Sequence, residues 1–318
     1  MLGRLAGSWW LRAAITAGIL AWMSTRIDMR AAVAAVASVS RWHLAAVLGL
    51  VAIDRAVMIW RWVLLLRAAN IRIATTDAAR LFLMSSFVGS FLPAGVGGDA
   101  ARAWGLSQVT ARLGDALASV VVDRMLGILS LAAMGAAGLA AWTLDGLDPL
   151  RLVAAVAGVG AACVAAFWGD ALLRAALPAH RHSGPVERRL LRLADAVAHY
   201  RGHRGALVHV MAWSLVVQVL RIVQAYVLGL GLGLTVPFAY YLLVMPLGLL
   251  MLLLPISVSG FGVPQGIIVW LLRPMGVPDA ASFALSTLIV LTGLAGNLPG
   301  LVLWLRRPPA HATAVPPR

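Results

Sequence analysis

Long apolar stretches alternate along this chain with shorter connections that carry most of its arginines. The stretches near 8–25, 42–66, 115–142, 150–170, 206–231 and 280–305 each approach the roughly 20 apolar residues that carry a helix across a hydrocarbon core about 30 Å thick. None alternates apolar and polar positions as a membrane barrel strand does. The pattern predicts an all-α polytopic membrane protein with about six full transmembrane helices.

Two further apolar regions break in their interior. The segment from Leu81 to Leu92 has only twelve residues before Pro93, which at about 1.5 Å per residue reaches roughly halfway through a bilayer. The string that follows, Ala94-Gly95-Val96-Gly97-Gly98-Asp99, reads as non-helical. The region 238–272 is interrupted by Pro255-Ile256-Ser257-Val258-Ser259-Gly260-Phe261-Gly262-Val263-Pro264. Broken backbone at membrane depth needs protein or a wet cavity to satisfy its amides and carbonyls, so both regions are expected to be re-entrant hairpins, with the first arm of the second also long enough for a complete span. The sequence then divides into a single integral membrane domain over 1–305, with unit one near 42–142 and unit two near 206–305, and a cytoplasmic tail 306–318 expected to be disordered. Each unit is a span, a hairpin and a span. The hairpins enter from opposite sides, which is an inverted-repeat arrangement of the kind secondary transporters use. The first apolar stretch follows Arg4 and Arg12 in the manner of a signal peptide, but Trp9 and Trp10 look like interfacial anchors and point to a retained span.

Composition supports this class. Apolar residues make up 61% of the chain and the mean hydropathy is +0.90, whereas a globule of this length must cover its surface with polar groups. All 26 basic residues are arginine. With both termini in the cytoplasm, 18 arginines fall on the cytoplasmic side and five outside, as the positive-inside rule demands. The net charge of +14 is thereby assigned to anionic phospholipid head groups at the cytoplasmic face rather than to nucleic acid, since the basic residues form no patch interleaved with aromatics. Cys163 stands alone in an apolar span, which excludes a disulfide framework and a thiolate metal site. His199 and His203 have metal-site spacing but no carboxylate partner, and read as a solvated face within the basic loop 177–206.

Three arginines, Arg55, Arg124 and Arg221, fall inside spans, where each costs about 2.5–3.5 kcal/mol unless a polar interior or an anion receives it. Two adjoin an aspartate, in Asp54-Arg55 and Asp123-Arg124. Two readings stay open for them: ion pairs that hold helices together, and guanidinium forks that bind phosphate. The hairpin tips are the second candidate, with Pro93, Gly95, Gly97, Gly98 and Asp99 on one and Pro255, Ser257, Ser259, Gly260 and Gly262 on the other. Their glycines let backbone amides approach a ligand, and they equally serve close helix packing. Arg55 precedes Pro93 by 38 residues and Arg221 precedes Pro255 by 34, so both tips and all three arginines are expected to border one groove near the bilayer centre. No catalytic signature, cofactor site or metal site is recognised.

Four motifs occur in a definite order: Arg61-Trp62 closing an early span; Leu92-Pro93 with Gly97-Gly98-Asp99 and Arg102; Asp123-Arg124 with Gly127; and Pro255-Ile256-Ser257 with Gly260-Phe261-Gly262-Val263. Together they resemble the flippase-like family that includes the transmembrane region of lysylphosphatidylglycerol synthases, over most of the chain. The family commonly has Arg-Glu where this chain has Pro264-Gln265, so a charge pair at the second tip is absent. The resemblance implies a lipid flippase or transporter of the bacterial inner membrane, moving a phospholipid such as an aminoacylated one, a polyprenyl-phosphate-linked lipid or a hopanoid-type lipid; with the intramembrane arginines, the expectation is a phosphate-bearing lipid. It adds Arg102 and Asp123 to the expected binding residues. An intramembrane enzyme acting on lipid head groups, and a non-transporting scaffold that partners an envelope-lipid synthase, are the alternatives.

Overall fold

A computed structural model of the chain describes residues 27–91, 96–110, 113–142, 195–251 and 263–306, together with a few isolated positions. The expected spans 8–25 and 150–170, Cys163, both hairpin tips (Pro93 and Gly95; Pro255, Ser257, Ser259, Gly260 and Gly262) and the tail beyond Arg306 lie outside these ranges. Among the described residues there are helices and turns and no strand.

The helices are α1 (Met29–Ser38), α2 (Arg41–Ala68), α3 (Thr75–Phe91), α4 (Val96–Thr110), α5 (Leu113–Ala141), α6 (Arg204–Gly231), α7 (Phe238–Met251), α8 (Val263–Leu272), α9 (Asp279–Ala295) and α10 (Leu298–Leu305). Four stretches are long and apolar enough to cross a membrane: α2, α5, α6, and α9 with α10 together. They coincide with four of the six spans expected from the sequence. Large apolar side chains such as Trp42, Leu48, Ile53, Val219, Leu291 and Trp304 remain exposed on their outer faces, a surface suited to lipid rather than water.

Local signals account for the ends of these helices. Asp28 caps α1 by accepting from the amides of Arg30 and Ala31 at 2.9 and 3.0 Å, and Ser40 caps α2 through the Trp42 amide at 3.3 Å. Helices α2 and α6 have the same length, 28 residues, and finish in the same way. After α2, Asn70 takes φ 56°, its amide donates to the Arg67 carbonyl, and the Ile71 amide donates to Leu66. After α6, Gly233 takes φ 73° and the amides of Gly233 and Leu234 donate to Leu230 and Gly229. Both are Schellman terminations, which need a residue that tolerates the left-handed region.

Each of α2 and α6 then leads into a pair of short helices followed by a long one. The short pairs are α3 with α4, of 17 and 15 residues, and α7 with α8, of 14 and 10. At about 1.5 Å per residue none reaches the roughly 30 Å of a hydrocarbon core. One expectation is corrected here: Gly97, Gly98 and Asp99 are not an irregular tip but the first turn of α4. At Gly98 α3 lies directly against this turn. A Cβ added to Gly89 of α3 would sit 2.8 Å from the Gly98 Cα, so the two backbones touch where any side chain would separate them.

The leading helices pack along each other in opposite directions. Arg61 meets Ser214, Asp54 meets Arg221, and His43 lies against Gly231; the partner number rises as the α2 number falls, which is an antiparallel pair. The short helices are exchanged between units. Helix α7 of the second unit packs on α5 of the first, and α3 of the first packs on α10 of the second. Both contacts turn on a glycine set against main chain: Gly138 against Leu242, and Gly300 against Leu83. A buried core from α2, α5, α6, α7, α8 and α9, including Val51, Ile222, Tyr240, Tyr241, Leu271 and Leu285, holds this assembly together.

Candidate functional site

Helical periodicity places Asp54, Met58 and Arg61 on one face of α2, and Ser214, Gln218 and Arg221 on one face of α6, since residues at i, i+4 and i+7 share a side. The antiparallel packing sets these faces opposite one another. Between them and the helices α3, α4, α5 and α9 is a cavity of about 490 Å³. Arg55, Asp99, Arg102, Asp123, Arg124 and Arg221 all line it, as does Gly98; Gly97 stands in the same helical turn outside the lining. The structure therefore gathers in one place the three arginines singled out from the sequence and the charged residues after the first tip. Met245 and Leu249, on α7 just before the second tip, also reach the cavity.

Five arginines and three aspartates contribute to the wall, in two clusters about 10 Å apart along α2, the rise of seven helical residues. In the first cluster Asp54 is shared. The Arg55 Nη1 donates to its Oδ2 at 2.9 Å, and Arg221 Nε approaches its Oδ1 at 3.3 Å. Arg55 and Arg221 also straddle Met58, with nitrogen to Sδ distances of 3.5 and 3.3 Å.

Asp123 is the hub of the second cluster. Its Oδ1 accepts from Arg61 Nε at 2.9 Å and also meets Arg61 Nη2 at 2.8 Å, while its Oδ2 accepts from Arg102 at 3.2 Å. Arg61 spends its remaining nitrogen on Ser214 at 3.0 Å. Arg102 also donates to Asp99 at 3.2 Å and lies over the rings of Trp62 and Phe82, at 5.0 and 5.2 Å from their centroids, where the ring quadrupoles favour a cation. Arg124 does not pair with its neighbour Asp123. It points instead to Asp99, at 3.2 Å, because adjacent helical positions diverge by about 100° and seldom face the same way.

Exposure separates the arginines into two sets. Side chains of Arg61 and Arg102 are 5% and 6% exposed and are engaged by aspartates, serine and rings. Those of Arg55, Arg221 and Arg124 are 17%, 28% and 43% exposed, so their guanidiniums keep free surface on the cavity. Arg61 and Arg102 tie helices together, while Arg55, Arg124 and Arg221 each combine an ion pair to an aspartate with a place on the cavity wall. Buried ion pairs of this kind hold together only while every partner is present.

Reasoning from the sequence missed part of this wall. Arg61 was expected among the cytoplasmic arginines, yet it is buried in the last third of α2; its spacing of seven from Asp54 was the available signal. The expected span 280–305 is also interrupted, at Gly296 and Asn297, where Asn297 and Pro299 stop the helix. There the Asn297 amide donates to Leu294 at 2.9 Å, and the Gly293 carbonyl, one residue earlier, accepts from Arg55 at 3.3 Å. The Asn297 side chain donates to Ser90 of α3 at 2.8 Å. Gln218, bonded to Ser130 at 3.2 Å, was likewise not singled out. Away from the cavity, the His203 ring nitrogen meets the His199 carbonyl at 3.2 Å, a local turn contact.

No curated protein matches the chain. A family model described as the lysylphosphatidylglycerol synthase TM region matches residues 9–300, which takes in all the described helices up to the start of α10. The long apolar helices, the polar cavity among them and this match together establish a multi-pass membrane protein that belongs to the lysylphosphatidylglycerol synthase transmembrane-region family.

Proposed function

We propose that this protein moves a phosphate-bearing lipid, either a phospholipid or a polyprenyl-phosphate-linked lipid, across the bacterial inner membrane. The observation that carries this reading is the set of three partly exposed guanidiniums, Arg55, Arg124 and Arg221, on one cavity among apolar helices. An arginine at that depth needs an anion, and its planar fork suits phosphate oxygens. Family membership supports a role in lipid handling.

The architecture supports the following transport cycle. Short helix pairs α3/α4 and α7/α8 act as re-entrant hairpins from opposite faces of the membrane, with both termini in the cytoplasm. Their antiparallel leading helices and exchanged packing support an inverted repeat, in which one unit rocks against the other around a fixed site. The head group passes through the arginine cavity while the acyl or prenyl chains stay in the bilayer.

Reconstitution tests the reading. Vesicles containing the protein are expected to move a fluorescent phosphate-bearing lipid between leaflets faster than empty vesicles, and the Arg55, Arg124 and Arg221 variants are expected to lose that gain. Chemical conversion of the lipid in detergent, where no sides exist, would instead select an intramembrane enzyme.

A further inference from the structure

The cavity charge sets what its ligand must carry. Five arginines against three aspartates leave the described wall at +2, and arginine does not deprotonate to relieve this. The surplus is divided. Asp54 faces Arg55 and Arg221 in the first cluster, and Asp99 with Asp123 faces Arg61, Arg102 and Arg124 in the second. Among the described residues each cluster therefore holds one positive charge in excess, and each has at least one arginine with exposed surface. A single phosphodiester carries one negative charge and satisfies one cluster, leaving the other unpaired among apolar helices.

We propose that the ligand is a lipid whose head group carries two phosphate groups, one seated at Arg55 and Arg221 and the other at Arg124. This rests on the assignment of the cavity as the lipid site and specifies the class of lipid. Residues of both clusters line the same cavity, so one head group placed there meets both. Two sources share this chemistry: lipids with two phosphodiesters joined by a short linker, and prenyl lipids with a diphosphate.

Binding to the full-length protein in detergent, followed by native mass spectrometry, separates these possibilities. The probes are phosphatidylglycerol with one phosphodiester, cardiolipin with two, and farnesyl diphosphate. At least one two-phosphate probe is expected to bind about tenfold or more tighter than phosphatidylglycerol, the worth of one charge-assisted contact. Preference for cardiolipin would assign separated phosphates; preference for farnesyl diphosphate would assign adjoining ones. Arg221→Gln and Arg124→Gln, at the two clusters, are each expected to reduce that preference nearly to unity. Equal binding of phosphatidylglycerol and both two-phosphate probes to the unaltered protein would overturn the inference, with no variant needed. A preference that survives either variant in folded protein would overturn it as well. Detergent binding has no sidedness, so an intact preference without lipid movement in vesicles would refute transport and leave the two-phosphate ligand standing.

Discussion

Arg61 and Asp123 stand 62 residues apart in the chain, yet Arg61 closes on a single carboxylate oxygen of Asp123 with two nitrogens, at 2.9 and 2.8 Å. The pair ties α2 to α5, and Arg102 takes the other oxygen from α4 at 3.2 Å. Both partners are buried to within a few per cent. Asp123→Asn would leave two buried guanidiniums without their shared anion, which costs about 3–5 kcal/mol in comparable cases. The expected result is loss of folded protein from the membrane, seen as a fall in monodisperse yield and melting temperature in detergent.

Arg124→Gln should behave oppositely, because this side chain is 43% exposed and its ion pair among the described residues is with Asp99. Surface-type pairs contribute about 0–1 kcal/mol. We expect nearly unchanged yield and melting temperature with impaired lipid binding. A melting temperature as low as that of Asp123→Asn would show that Arg124 is structural.

Arg→Lys at Arg55, Arg124 and Arg221 keeps charge and removes the fork. Each single variant is expected to fold and to bind a phosphate-bearing lipid more weakly, by about tenfold for the loss of one bidentate contact. Full binding in the triple variant at normal expression would exclude a guanidinium phosphate site.

Gly138 and Gly300 test the exchange of short helices between units. A methyl group at either would meet main chain, at Leu242 or Leu83, and main chain yields little. Gly138→Ala and Gly300→Ala are each expected to destabilise by about 1–3 kcal/mol, as overpacking does. Gly49→Ala, which meets nothing within 4 Å, is the control, and thermal melts in detergent compare the three.

The antiparallel pairing of α2 with α6 puts the connection after α2 beside the start of α6, and the connection after α6 beside the start of α2. With Cys163 replaced by serine, single cysteines at Ala74 and Gly202 should therefore label from one side of the membrane, and those at Ser40 and Thr235 from the other. Under the proposed orientation the first two face the cytoplasm. An impermeant thiol reagent on intact and opened cells reads this directly, and labelling of Ala74 and Gly202 from opposite sides would contradict the antiparallel pair.

Hydropathy made the four long helices legible, since α2, α5, α6 and the α9–α10 stretch are apolar over most of their length. The cost of burying charge made Arg55, Arg124 and Arg221 legible as a set, and the structure gathers them on one cavity. What escaped was decided by contacts between distant segments. Whether Arg61 lies in a loop or a helix wall depends on Asp123 and Ser214, 62 and 153 residues away. The helix at Gly97 and Gly98 was hidden because glycine has no local preference strong enough to declare itself, and the packing of Gly98 on Gly89 is a contact between separate helices. Asp123-Arg124 read as a pair along the chain, whereas helix geometry sent the two side chains to different partners.

Lipid movement in vesicles of defined composition tests the central claim most directly. The assay compares a fluorescent phosphate-bearing lipid with a neutral analogue of the same chain length, using the unaltered protein and the Arg55, Arg124 and Arg221 triple Arg→Lys variant. The account predicts accelerated movement of the phosphate-bearing lipid only, and its loss in the variant at equal incorporation. Equal movement of the neutral analogue, or full activity in the variant, would contradict it.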